Sequence, residues 1–285
     1  MATQTENYTT SDGLRLVAEV AGHVDAPKVL LAHGAGQTRA AWTRTCLALA
    51  KQGYRAIALD LRGHGESDWS AERAYQISDF ANDLMIIANQ LGGKPALIGA
   101  SLGGLSGLLV AGELQTDCFS SLTLVDIAPR MERSGVDRVM EFMRAYSECG
   151  FGSAQEAADA IADYMPHRER SSDNTGLDRY LRRSDDGRYR WHWDPALVDK
   201  LSKHDQGHMD RMERATAALI LPVHLIRGRS SDLLSEDEAV AFVQAVKGAR
   251  YTDIAGAGHM VVGDRNDAFT SAILSFLQNQ KRANA

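Results

Sequence analysis

Apolar residues recur along this chain in successive rhythms. From Leu14 to Ala21, after a Ser11-Asp12-Gly13 turn, apolar and polar positions alternate, which predicts a half-exposed strand in an edge hairpin that begins near Tyr8. Lys28 to Ala32 and Arg55 to Asp60 are instead nearly unbroken apolar runs, as expected of strands covered on both faces. Between and after them the spacing becomes helical. One helix is predicted from Ala40 to Gln52, with Gly53 at its C-cap, and another from Ile77 to Leu91, closed by Gly92-Gly93. A further apolar run, Lys94 to Ala100, meets Ser101 and passes directly into the buried helical stretch Leu105 to Ala111, and Leu122 to Ala128 adds another strand. Strand and helix alternate throughout this half, so the fold class is α/β, with a mostly parallel sheet and helices on both faces.

The rhythm stops at Arg130 and returns only near Leu221. The intervening stretch predicts short amphipathic helices over Val136–Cys149, Ser153–Tyr164 and Leu177–Arg182, and carries Trp191 and Trp193 almost side by side. An all-helical insertion of this kind is most economically a lid over one edge of the sheet. Residues 1–129 and 222–285 then form the core and residues 130–221 the lid. Within the returning core, Pro222–Gly228 reads as a strand, Glu236–Val246 as a helix, Tyr251–Ala255 as a short strand and Arg265–Gln280 as a final helix.

Composition narrows the function. A chain of 285 residues that is 44% hydrophobic and 24% charged has the makeup of an ordinary globular protein with a sizeable core. A net charge of -6 argues against nucleic acid or an anionic membrane as partner. Cys46, Cys118 and Cys149 are few, odd in number and widely separated, as suits reduced thiols, and the first residues lack the basic and apolar blocks of a signal peptide. With no run long enough to span a bilayer, a cytoplasmic location is expected. No metal-ligand spacing or phosphate loop is present, and Gly34-Ala35-Gly36 lacks the third glycine and the acid spacing of a dinucleotide turn, so chemistry without a cofactor or metal is expected.

The candidate chemistry centres on Gly99-Ala100-Ser101-Leu102-Gly103. Strand before and helix after give this Gly-x-Ser-x-Gly the setting of a nucleophile elbow, in which flanking glycines admit a strained turn and the serine hydroxyl stands free above the sheet. The Leu102 N–H, at a helix N-terminus, is then aimed at an oxyanion formed beside Ser101. A serine hydroxyl needs a base, and a base needs an orienting acid. His259 is the best-placed base, in the glycine-rich loop Gly256-Ala257-Gly258-His259-Met260 between the last strand and the last helix, whereas His167, His192, His204 and His208 fall in the insertion. Candidate pocket residues are Trp42, Met131, Phe142, Met143, Trp191, Trp193 and Met260. Arg62, His64 and Asp60 are read as bracing the loop that contains Arg62-Gly63-His64-Gly65.

The elbow, His33-Gly34 after the first buried strand, Arg62-Gly63-His64-Gly65-Glu66-Ser67 and Gly256-Ala257-Gly258-His259 occur in an order that resembles the α/β-hydrolase superfamily over nearly the whole chain, the insertion excepted. The resemblance implies an α/β-hydrolase fold and a serine hydrolase acting on carboxylic esters through an acyl-enzyme. It also places a second oxyanion donor at the Ala35 N–H and makes the lid a wall of the substrate pocket. Two positions compete for the acid. Most of the superfamily carries it after the next-to-last strand, where Gly228-Arg229-Ser230-Ser231-Asp232 puts Ser231 in register and Asp232 one residue late. Small esterases with a Val-Asp-Ile-Ala-Pro-like segment carry it where Asp126 stands, and register favours Asp126. The expected partner is a small-molecule ester of modest, hydrophobic size, and a homodimer is left open. Other uses of the same residues remain in view, among them lactonase, carbon–carbon bond hydrolase and perhydrolase chemistry, or a ligand-binding relative without catalysis. Relatives that open epoxides carry an aspartate at the elbow, against which Ser101 counts.

Overall fold

The computed structural model describes residues 2–164, 177, 180–202, 206–259 and 266–283. Its centre is a sheet of eight strands: β1 (Gln4–Thr9), β2 (Arg15–Ala21), β3 (Lys28–Ala32), β4 (Arg55–Leu59), β5 (Ala96–Ala100), β6 (Ser121–Val125), β9 (Val223–Gly228) and β10 (Arg250–Ile254). They lie in the order β1-β2-β4-β3-β5-β6-β9-β10. Strands β1 and β2 form the antiparallel edge hairpin, with Tyr8 opposite Leu16, and every pairing from β4 to β10 is parallel. The continuous apolar runs are the central strands: β4, β5 and β6 are buried at every residue.

Alternate residues of these strands serve opposite faces of the sheet. Leu30, Ile57, Leu97 and Leu124 pack with Phe80 and Leu84 of α2 (Ile77–Leu91) and with Leu108 of α3 (Leu102–Leu109). Val29, Leu31, Ala58 and Ile98 pack instead with Leu49 of α1 (Thr43–Lys51) and with Phe269, Ile273 and Phe276 of the last helix, α9 (Asn266–Ala283). The predicted first helix therefore begins later than the pattern suggests, after a 3₁₀ turn at Arg39–Trp42. Helix α2 is started by the Asp79 carboxylate, which accepts the Gln76 N–H at 2.7 Å. α8 (Glu236–Ala245) is capped by Ser235 and carries Glu236, Asp237 and Glu238 in its first turn, against the positive end of the helix dipole.

Between β6 and β9 lie α4 (Arg133–Arg144), α5 (Ala154–Tyr164), β7 (Leu181–Arg183), β8 (Tyr189–Trp191), α6 (Ala196–Leu201) and α7 (Gln206–Ala217). This insertion is not all-helical. In place of the helix expected over Leu177–Arg182, Leu181 pairs with Trp191 and Arg183 with Tyr189 in an antiparallel hairpin. Its turn is closed by the Gly187 N–H donating to the Ser184 carbonyl, with Gly187 at a φ of 79°. The hairpin carries both tryptophans inward: Trp191 stacks on Trp193 with ring centroids 4.8 Å apart, and its Nε1–H donates to the Ala145 carbonyl. That burial outweighs the local helical spacing. Helix α7 packs on the turn that extends α3, so closely that a Cβ on Gly112 would lie 2.0 Å from the Ala215 carbonyl oxygen. Among the described residues no helix is long and apolar enough to cross a membrane.

Candidate active site

Ser101 sits where β5 gives way to α3, at φ 43° and ψ -115°, a backbone conformation that costs an L-residue energy and persists only where its surroundings impose it. Those surroundings are glycine. A Cβ on Gly103 would approach the Ala32 carbonyl oxygen to 2.5 Å, and one on Gly99 would come within 2.6 Å of the Gly103 backbone. Strand β3 and helix α3 can thus close on the turn only because both flanks lack side chains.

On the neighbouring strand, Asp126 follows β6 at a φ of 53° and is fully buried. Its carboxylate accepts from three donors. Oδ1 accepts the Gly228 N–H at 3.0 Å, and Oδ2 accepts both His259 Nδ1–H at 2.7 Å and the Ser231 hydroxyl at 2.5 Å. Because the carboxylate can only accept, the His259 ring proton is fixed on Nδ1, leaving Nε2 with a lone pair. His259 and Ser101 line the same cavity. Asp232, the other acid considered from the sequence, points away: its carboxylate is 42% exposed and pairs with Arg138 of α4 at 2.6 Å.

The loop after β3 brings Ala35 to the same cavity. It is held by groups that demand neutral imidazoles. His33 Nε2 accepts the Leu61 N–H at 3.0 Å while its Nδ1–H donates to the Gly34 carbonyl at 2.8 Å. His64 Nε2 accepts the Gly36 N–H at 3.1 Å while its Nδ1–H donates to the Arg62 carbonyl at 3.0 Å. His192, on the insertion, accepts the Gly65 N–H at 2.9 Å. Burial, aided by neighbouring positive charge, holds His33 and His192 down to about 3, and burial also carries His64 well below its ordinary value. Arg62 grips Asp83 of α2 through two 2.6 Å bonds, and Asp60 accepts the Arg39 and Glu66 N–H groups, so these residues brace the loops as expected from the sequence.

Two adjoining cavities, the lobes of the site, share Ser101, Ala35 and Val139 in their walls. The larger, about 110 Å³, is walled by Gln37, Phe142, Tyr164, Tyr180, Trp191 and Trp193. The smaller, about 40 Å³, is walled by Ile77, Leu105, Met131, Met140, Leu201 and Leu233, with Leu102 at its floor. Phe142 and Trp191 thus line the larger lobe and Met131 the smaller. Trp42 lines neither: it is fully buried on the opposite face of the sheet, against Phe269 at 5.9 Å, because its 3₁₀ turn faces α9. Met260 lies outside the described residues. Gln37, Tyr164 and Tyr180 were not anticipated, since nothing in their local pattern marks a pocket wall. Ser231 could have been found, because it stands in the register where an acid is usual.

A parallel sheet with a strained serine turn at the end of a central strand, a histidine–aspartate pair beside it and a pocket above defines an α/β-hydrolase-type protein. The α/β-hydrolase family profile matches residues 29–272, and the chain belongs to that family. It is 27% identical over 261 residues to the esterase Rv0045c of Mycobacterium tuberculosis, covering 90% of this chain and 84% of that one. It is 26% identical over 246 residues to a 3-hydroxybutyrate-oligomer hydrolase of Cupriavidus necator, covering 82% and 83%. Among solved structures, an α/β hydrolase from Novosphingobium aromaticivorans superposes with a TM-score of 0.82 at 24% identity, over 98% of this chain and 99% of that one.

Proposed function

We propose that this protein is a serine hydrolase of carboxylic esters, with Ser101 as nucleophile, His259 as general base and acid, and Asp126 as the acid that orients it. The observation that carries this reading is the 2.7 Å bond from His259 Nδ1–H to a fully buried Asp126, in a cavity that His259 shares with Ser101. In the acylation step, Ser101 Oγ bonds to the ester carbonyl carbon and its proton passes to His259 Nε2. The charge that develops on the carbonyl oxygen is met by the Ala35 and Leu102 N–H groups, the latter at the start of α3. The carbon–oxygen bond to the alcohol then breaks and His259 returns the proton to the departing oxygen. Water attacks the acyl carbon, giving up a proton to His259, and as the bond to Ser101 Oγ breaks His259 returns that proton to Oγ and the carboxylic acid leaves.

Esterase activity is further supported by the named activities of the two similar proteins described above. The insertion between β6 and β9 serves as the lid, since Val139, Phe142 and Met143 of α4, Ile161 and Tyr164 of α5 and Trp191 of β8 stand in the larger lobe's wall. The cytoplasmic setting rests on the three scattered cysteines, all of which carry free thiols.

Hydrolysis of p-nitrophenyl acetate and butyrate by the native chain and by Ser101→Ala tests the reading, alongside labelling by a fluorophosphonate. Saturable turnover and labelling that both vanish in the variant are expected. Turnover that survives Ser101→Ala, or a native protein that neither turns over nor labels, would refute it.

A further inference from the structure

The two lobes differ in which part of the site they touch. Among the described residues, His259 lines only the larger lobe and Leu102 only the smaller, while Ser101 and Ala35 belong to both. This asymmetry has a chemical meaning once the serine-hydrolase reading is accepted. The oxygen that leaves in acylation must take its proton from His259, so the alcohol portion has to lie on the histidine side of the tetrahedral carbon. The acyl portion is then directed the other way, past Leu102.

We infer that the larger lobe receives the alcohol and the smaller lobe the acyl chain, so that the preferred substrates are arylalkyl esters of short-chain acids. The walls match this division. In the larger lobe Phe142 stacks on Tyr164 with centroids 4.1 Å apart, Trp191 stacks on Trp193 at 4.8 Å, and Phe142 meets Trp191 at 5.3 Å. Flat rings already ordered against one another offer a preorganised surface to another flat ring. Apart from Ser101 the smaller lobe is aliphatic and thioether, with Leu105, Met131 and Met140 on its walls, and has about 40 Å³ against about 110 Å³. That is room for a short alkyl chain.

The test separates acylation from deacylation by pre-steady-state kinetics on a matrix of acetates and hexanoates of ethanol, benzyl alcohol and naphthylmethanol, whose alkoxides are of comparable basicity. Deacylation depends on the acid alone and is shared by all esters of one acid. Naphthylmethyl acetate is expected to exceed ethyl acetate about tenfold or more in kcat/KM, as one stacked ring warrants, and Phe142→Ala should erase that preference. Met131→Ala, which opens the smaller lobe, should raise the deacylation rate of the hexanoyl enzyme relative to the acetyl enzyme. If Phe142→Ala moves the chain-length preference and Met131→Ala the alcohol preference, or if neither variant moves either, the assignment is overturned while the Ser101 chemistry stands. A native chain with no Ser101-dependent turnover would overturn both.

Discussion

The Ser231 hydroxyl donates to the Asp126 carboxylate oxygen, Oδ2, that also receives the His259 ring proton, at 2.5 Å and 2.7 Å respectively. Ser231 Oγ in turn accepts the Leu233 N–H at 3.1 Å, which ties the carboxylate to the loop after β9. A charge-assisted bond of this kind contributes about 1.5–3 kcal/mol. Ser231→Ala is therefore expected to lower kcat roughly 10- to 100-fold with a much smaller change in KM, read by steady-state kinetics alongside the thermal midpoint. Unchanged kcat would show that Gly228 and His259 alone suffice to hold Asp126.

The two acids considered from the sequence are expected to behave oppositely. Asp126→Asn leaves the His259 ring without a charged acceptor and should reduce kcat/KM by about four orders of magnitude, the scale of losing an orienting carboxylate. Asp232→Asn breaks only a half-exposed pair with Arg138 and should keep activity within about threefold. The reverse result would transfer the orienting role to Asp232 and require the loop after β9 to rearrange.

The elbow tolerates no added methyl group. Gly103→Ala would press a Cβ to 2.5 Å from the Ala32 carbonyl oxygen, which is backbone in a central strand. Overpacking of this kind costs about 1–3 kcal/mol. Relief through a shift of α3 would also move the Leu102 N–H away from the oxyanion it is proposed to meet. Chemical denaturation and turnover should therefore both fall, and a fully active Gly103→Ala would contradict the packing described.

Acid should weaken the fold through its buried imidazoles. His33 and His192 are held at about 3 by burial, His224 is held at about 3 by burial beside Arg250, and His64 is also well below 6.5. In the unfolded chain each would take up a proton near 6.5. Their stabilisation is therefore complete above pH 6.5 and is lost as pH falls from there toward 3, by up to about 1.4 kcal/mol per pH unit for each residue. Urea midpoints should drop between pH 7 and pH 5, with several protons bound on unfolding. A flat profile over that range would show that these imidazoles are not kept neutral.

What the sequence made legible follows from the range of the forces involved. Strands covered on both faces need unbroken apolar residues, so β3 to β6 could be read directly, and the elbow glycines announce a local steric need. Side chains whose surroundings come from distant segments could not be read in this way. Trp42 is aromatic beside a site loop, yet the direction of its turn carries it to the far face of the sheet. Leu181 and Arg182 end a stretch with helical spacing in the sequence, but their partners Trp191 and Arg190 arrive from across a turn. The choice between Asp126 and Asp232 was open because it depends on β6 lying beside β9, a pairing between strands separated by the entire insertion.

The backbone at Ser101 carries a further cost. A non-glycine residue held at φ 43° opposes the preference of its own chain, and glycine would relieve that opposition. Ser101→Gly should therefore be more stable than the native chain, by about the 1–3 kcal/mol of a residue held in a sparsely populated backbone region, and melt at a higher temperature, while its hydrolytic activity disappears. The chain carries a less durable turn in exchange for one serine at the cavity wall, and that turn sets an upper bound on how stable a form that keeps the serine can become.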